Sequence, residues 1–260
     1  MITSIRIVRD RRGIATIWLA RPDKHNALSA DMIAELGVAA ARLGADPDTR
    51  LVVLAAEGTS FCAGGDLAWM RAQIEADAHT RRQGARALAM MLKAMNELPK
   101  PLIGRVQGAA FGGGLGLIAV CDSAVGVEGA RFGLTETRLG LIPATIGPYI
   151  LSRLGEARAR RMFMSGRVFT SDEALRLDLL SAVHPAADLD RAIEAQIEPY
   201  LEAAPGAVAA AKRLLRDLGS PIDARQIETS IEALVAIWDA PEAKQGVLAF
   251  FNKSKPVWQS

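Results

Sequence analysis

Ile103-Gly104-Arg105-Val106-Gln107-Gly108-Ala109-Ala110-Phe111-Gly112-Gly113-Gly114-Leu115-Gly116 carries a short apolar strand into a turn, three consecutive glycines and the start of a small apolar helix that runs toward Cys121-Asp122. Glycine has no Cβ, so its backbone N–H can come close to a bound group. A helix start adds free N–H groups and a partial positive charge. The stretch therefore reads as a cradle for negative charge, including one that develops only during a reaction. A second loop of small residues, Phe61-Cys62-Ala63-Gly64-Gly65-Asp66-Leu67, also follows a buried strand and precedes a helix.

Working outward, Leu51–Ala55 and Leu102–Val106 are continuous apolar runs, the mark of strands covered on both faces. Upstream, Ser4–Val8 and Ile14–Leu19 flank the charged turn at Arg9–Gly13 and predict a hairpin. Ser29 is placed to cap a helix running to about Leu43, with Gly44 as its stop. A helix is predicted from Leu67, and a longer one from about Thr80 to Leu98, ended by Pro99 and Pro101. Val125–Val127 reads as another strand. From Ile146 onward the pattern is nearly all helical. The fold class is α/β, with residues 1–200 as a core and 201–260 as a helical C-terminal region.

Composition narrows the function classes. Half of the 260 residues are hydrophobic, enough for a sizeable core, and the net charge of +2 gives no reason to expect nucleic acid. The two cysteines, Cys62 and Cys121, fit a reducing compartment better than a disulfide framework. The N-terminal residues alternate like strands instead of forming a signal peptide, and no apolar run is long enough to span a membrane. A soluble, cytoplasmic protein with no membrane partner is expected. An apolar face on the C-terminal helices would call for an oligomer.

The glycine stretch admits three readings. It can serve close packing alone. It can be a dinucleotide site, since Gly114-Leu115-Gly116-Leu117-Ile118-Ala119 satisfies G-x-G-x-x-G/A. Against that, it lies in mid-chain, and Glu128 follows too soon for the usual crossover. Thirdly, one N–H from each small-residue loop can converge on a carbonyl oxygen, because parallel strands end on the same side of a sheet. That is an oxyanion hole.

The two loops, together with Arg21-Pro22-Asp23-Lys24-His25-Asn26-Ala27-Leu28 and Phe132-Gly133-Leu134-Thr135-Glu136-Thr137-Arg138-Leu139-Gly140-Leu141-Ile142-Pro143, resemble the crotonase, or enoyl-CoA hydratase/isomerase, superfamily. The resemblance covers almost the whole chain. It implies a spiral of ββα units, a C-terminal trimerisation region, a homo-trimer or dimer of trimers, and acyl-CoA thioesters as substrates. No separate cofactor is implied, since coenzyme A belongs to the substrate. The N–H groups of Gly65 and Gly113 would be the oxyanion donors. Lys24, Asn26, Ala27, Leu28, Ala63, Asp66 and Leu67 would line the thioester and CoA site, and Phe250 and Lys253 match a C-terminal Phe-x-x-Lys that reaches CoA in relatives.

The chain departs from the family at one telling position. Hydratases of this type carry two glutamates, but the first position is here Gly116, which leaves Glu136 as the acid/base, with Arg138 as a neighbour able to keep it ionised. Hydration of a 2-enoyl-CoA through an enolate is the expected reaction. A Δ3,Δ2-enoyl-CoA isomerase is the alternative, since moving a double bond needs only one carboxyl. A catalytically silent acyl-CoA-binding module is the other. Residues 138–149 are similar to hydratases of branched glutaconyl-CoA thioesters. His25, His79 and His184 lack metal-ligand spacing, so no metal is expected. Cys62 has no histidine placed beside it to act as a nucleophile's base, and Arg158, Arg160 and Arg161 read as a solvated basic face. Asp66 also fits a helix cap, and Asp122 a structural role.

Overall fold

A computed structural model describes residues 3–220 and 222–259. The chain opens with the hairpin β1 (Ile5–Arg9) and β2 (Ile14–Leu19), then α1 (Ala30–Ala45). Next come β3 (Leu51–Ala56), β4 (Ser60–Cys62), α2 (Leu67–Glu75) and α3 (Ala78–Asn96). The same strand–strand–helix order recurs in β5 (Leu102–Val106), β6 (Ala109–Phe111) and α4 (Gly113–Ala119). It recurs once more in β7 (Ser123–Val127), β8 (Arg131–Gly133) and α5 (Gly147–Leu154).

The first turn of this spiral gives both its strands to one sheet, and each later turn gives one strand to each of two sheets. The first sheet has the order β1-β2-β3-β5-β7 and the second β4-β6-β8. Beyond the hairpin these neighbours are parallel, with Val53 beside Thr16 and Ile103, and Ala110 beside Phe132. Every residue of β3 is buried, as its unbroken apolar run requires of a strand flanked on both edges and covered on both faces. Because β4 and β6 are adjacent and parallel, the loops that follow them leave the sheet side by side.

The remaining elements are α6 (Glu156–Phe163), β9 (Val168–Thr170), α7 (Ser171–Arg176), β10 (Ala182–His184) and α8 (Leu189–Glu202). The helices α9 (Pro205–Leu218), α10 (Ala224–Trp238) and α11 (Pro241–Phe251) follow. The all-helical expectation after Ile146 therefore needs correction. β9 joins the edge of the second sheet beside β8, and β10 joins the first beside β7. With three residues each, they are too short to show a period, and only their partners define them.

Ser29 caps α1, its hydroxyl accepting from the Met32 N–H at 3.3 Å. Gly44 does not stop that helix, which continues to Ala45. A Cβ at Gly44 would stand 3.1 Å from Pro99 Cδ, so the residue serves close approach to the chain after α3. The second small-residue loop does not begin at Phe61, since Phe61 and Cys62 belong to β4.

The C-terminal helices fold back over the spiral. Ile227 and Ile231 of α10 bury themselves against Ala85 and Ala89 of α3. Trp238, Ala243 and Val247 cluster with Met70 of α2 and with Leu141. Asp122 ties α9 to the core, accepting from Lys212 Nζ at 2.7 Å and from the Leu102 N–H at 2.7 Å, which is the structural role expected of it. On the outer face of α9, Leu214, Leu215 and Leu218 remain exposed. No helix among the described residues is long and apolar enough to cross a membrane.

Candidate active site

The two glycine loops, the turn at Glu136–Leu139 and the C-terminal helices enclose a cavity of about 560 Å³. From the first loop it is lined by Ala63, Gly65 and Leu67, and from the second by Gly112 and Gly113. Leu28, Glu136 and Phe250 also line it.

Both proposed oxyanion donors are free. Gly113 opens α4, where a helix has no acceptor for its first N–H groups. Gly65 sits in a one-residue bridge with Leu28, made by the Leu28 N–H to Gly64 O at 2.8 Å and the Asp66 N–H to Leu28 O at 3.1 Å. Among the described residues neither Gly65 nor Gly113 gives its N–H to a protein acceptor. The loops touch: a Cβ on Gly113 would stand 4.0 Å from Gly64 Cα.

Gly112 has φ +47°, a conformation that L side chains resist, and a Cβ there would lie 2.7 Å from Glu136 Oε1. The glycine is thus required twice, by the turn and by the carboxylate beside it. That contact places Glu136 next to the backbone that supplies the Gly113 N–H.

Glu136 Oε2 is sealed from solvent and has no hydrogen-bond partner, while Oε1 lies toward Gly112 and the residue lines the cavity. Burial pushes its pKa up to about 7. The expectation that Arg138 would hold it ionised is overturned. Arg138 is exposed and makes no ion pair with it, so desolvation decides the charge.

The space that a side chain at position 116 would enter is occupied. A Cβ on Gly116 would stand 2.5 Å from Ile146 Cγ2. An apolar wall of Ile146, with Leu92 behind it, has replaced a second carboxyl.

Several expected lining residues lie elsewhere. Asn26 is fully buried and pins the loop: its Nδ2 donates to Glu57 O at 2.8 Å and Ser60 O at 2.9 Å, and its Oδ1 accepts from the Arg21 N–H at 2.9 Å. Ala27 is buried beneath that loop, its carbonyl held by Arg21 Nη1 at 2.9 Å. Asp66 caps α2 through the Ala68 and Trp69 N–H groups and pairs with Arg21 at 2.9 Å. That pairing and capping hold its carboxyl below the usual range despite burial. Lys24 and Lys253 are exposed and do not line the cavity. Within one subunit, a side chain turned into the loop, or one on the far side of a helix end, cannot reach the space the loop encloses.

Burial pushes the Cys62 thiol up to about 12, which removes it as a nucleophile. The basic residues of α6 are partly neutralised, Arg158 by Asp178 and Arg160 by Glu156. No group of three or more potential ligands for a metal occurs among the described residues.

The cavity also takes residues that sequence reasoning missed as site residues. Leu88 lies inside the long helix predicted from about Thr80, and Leu234 and Trp238 inside the C-terminal helical region, with nothing local to mark them as site residues. Thr145 and Ile146 lie within the segment whose resemblance was noted, but nothing local assigns them a role.

A family model described as enoyl-CoA hydratase/isomerase matches residues 9–260. The crystal structure of an enoyl-CoA hydratase from Shewanella pealeana is 36% identical, with a TM-score of 0.81, over 98% of this chain and 96% of that one. That of an enoyl-CoA hydratase from Mycobacterium smegmatis is 35% identical with a TM-score of 0.80 over 99% of each. Carnitinyl-CoA dehydratase of Escherichia coli K12 is 31% identical over 265 residues, covering 100% of this chain and 99% of that one.

Proposed function

The chain belongs to the enoyl-CoA hydratase/isomerase family, and on that footing we propose that it adds water to a 2-enoyl-CoA thioester. The observation that carries this reading is Glu136, its Oε2 buried without a partner, in one cavity with the two free N–H groups. With a pKa of about 7, Glu136 can exist in either protonation state near neutrality, which suits a group that must both take and return a proton.

In this mechanism the thioester oxygen sits between the N–H groups of Gly65 and Gly113. Glu136 removes a proton from water as its oxygen bonds to Cβ. The π electrons of the double bond move toward the thioester, giving an enolate whose oxygen the two N–H groups stabilise. Glu136 then returns the proton to Cα. One carboxyl performs both transfers because Ile146 fills the place of a second.

That same filling supports a second reading, double-bond isomerisation, which needs one group to carry a proton between two carbons. Heavy-oxygen water separates them, since only hydration places solvent oxygen in the product. Loss of all turnover in Glu136→Gln is expected under both readings, and unchanged turnover sinks both; a wild-type protein that binds the CoA ester without turning it over is instead an acyl-CoA-binding module.

No separate cofactor takes part; coenzyme A arrives with the substrate. For the acyl group, a branched glutaconyl type is the first to test, because Arg138 is the one cation among the described lining residues and the rest of that wall is largely apolar. The exposed leucines of α9 support a homo-trimer or dimer of trimers, with residues 201–260 carrying subunit contacts in addition to covering the site. The compartment we assign is the cytoplasm, in keeping with two buried free thiols.

A further inference from the structure

A water molecule that attacks a carbon must present a lone pair, so both of its hydrogens have to be held. Glu136 can accept one of them. The second carboxyl that would accept the other is absent, because position 116 is glycine and its side-chain space is filled by Ile146. The cavity must hold the second hydrogen by another group.

Of the hydroxyl, carboxyl and amide side chains that line the cavity, Thr145 is the one that is buried outright, at 4% exposure. A buried hydroxyl ordinarily finds a partner in the protein. Among the described residues that of Thr145 has none, and it is not sealed off as Glu136 Oε2 is, so it opens on the cavity its residue lines. Its position is also suggestive, being the chain neighbour of the side chain packed against Gly116. Both residues line the cavity, so the hydroxyl belongs to the wall segment whose next side chain fills the space at position 116. Other polar lining groups are worse placed. Arg138, Ser254 and Gln259 are exposed, and Thr135 is only half-buried.

We propose that the Thr145 hydroxyl, facing the same cavity as Glu136, holds the attacking water. One O–H of the water is given to the Glu136 carboxylate and the other to Thr145 Oγ1, which leaves a lone pair directed at Cβ. Thr145 exchanges no proton with the substrate and forms no bond. It is a positioning residue, which substitutes for the geometric part of what a second carboxyl does and leaves the proton transfers to Glu136. A water needs two to four polar partners to be ordered, and this pair supplies the minimum. The inference rests on the hydratase reading.

The test compares a reaction that uses water with one that does not. Hydration of the 2-enoyl-CoA requires the positioned water. Exchange of the α-hydrogen of the matching saturated acyl-CoA in heavy water requires only Glu136 and the two N–H groups. Thr145→Val keeps the shape and removes the hydroxyl. It is expected to lower kcat for hydration about 10- to 100-fold, the loss of one well-placed hydrogen bond. KM and the exchange rate should stay within about threefold of wild type, and Thr145→Ser should restore most of the hydration rate.

Two results overturn the proposal: Thr145→Val hydrating as fast as wild type, or hydration and exchange falling together without rescue by serine, which is the behaviour of a packing residue. A wild-type enzyme that exchanges the α-hydrogen but never hydrates marks instead the failure of the hydratase reading, and of this proposal with it.

Discussion

Replacing Glu136 with glutamine should make the protein more stable while abolishing its turnover, and the gain should depend on pH. The carboxyl has its pKa raised from the ordinary 4.5 to about 7 because burial disfavours the charged form. Below pH 4.5 the group is neutral whether the chain is folded or not, and it costs nothing. Between 4.5 and about 7 the folded state holds the proton more tightly than the unfolded one, so stability falls as pH rises. Above 7 the full cost is present. At about 1.4 kcal/mol per pH unit that cost reaches roughly 3 kcal/mol, a large part of the stability of an ordinary domain.

Glutamine has nearly the shape of the protonated acid and never ionises. The difference in unfolding free energy between Glu136→Gln and wild type should therefore be near zero at pH 4.5 and grow to about 3 kcal/mol in favour of the variant by pH 8. Urea denaturation of both proteins across that range measures it, at one protomer concentration because assembly contributes to stability. Other titrating groups cancel in the difference. A gap that stays constant with pH would show that burial does not control this carboxyl, and the acid/base role drawn from its midpoint would lose its basis.

The pH dependence of kcat/KM for hydration should carry the same signature, rising through about pH 7 as Glu136 ionises in the free enzyme. Gly113→Pro deletes one N–H donor and should cut kcat by about 10²- to 10³-fold; because a Cβ there meets Leu28 Cδ1 at 2.7 Å, it is best made with Leu28→Ala and judged against that single variant. Gly116→Ala should cost about 1–3 kcal/mol in urea unfolding through its clash with Ile146, and the loss should be partly recovered in the double variant with Ile146→Ala. Asn26→Ala removes three hydrogen bonds from a fully buried side chain and should lower stability by about 2–4 kcal/mol, without an amide contact to substrate being involved.

Much of the spiral was legible because its determinants are local. The unbroken apolar run of β3 reports a strand covered on both faces wherever it sits. Ser29 and Asp66 cap the helices that follow them by reaching only two or three residues along the chain. The two small-residue loops announce close backbone approach, and parallel pairing of β4 with β6 brings them side by side. The three-residue strands β4, β6, β8 and β9 were not legible, since so short a strand is defined by its partner. The loop from Lys24 to Leu28 shows the other limit. A motif says which residues recur, and only the fold says that Leu28 faces the cavity while Asn26 turns inward to hold the loop.

By itself, the sequence determined the strands of the first sheet from β1 to β7 and the helices between them, the two glycine loops, and the absence of a carboxyl at position 116. What only the tertiary structure decided is the chemistry of the one carboxyl that remains. The sequence places Arg138 two residues from Glu136 and suggests a charged pair. In the fold Arg138 stays exposed, Glu136 Oε2 is sealed, and burial moves the carboxyl's pKa up to about 7. The same packing puts Ile146 where a side chain at 116 would go, and brings Leu234, Trp238 and Phe250 from the end of the chain to close the cavity. The physical reason is that a cap or a turn is set by neighbours along the chain, whereas desolvation is set by every atom that excludes water from a point in space. Those atoms come from segments far apart in the sequence.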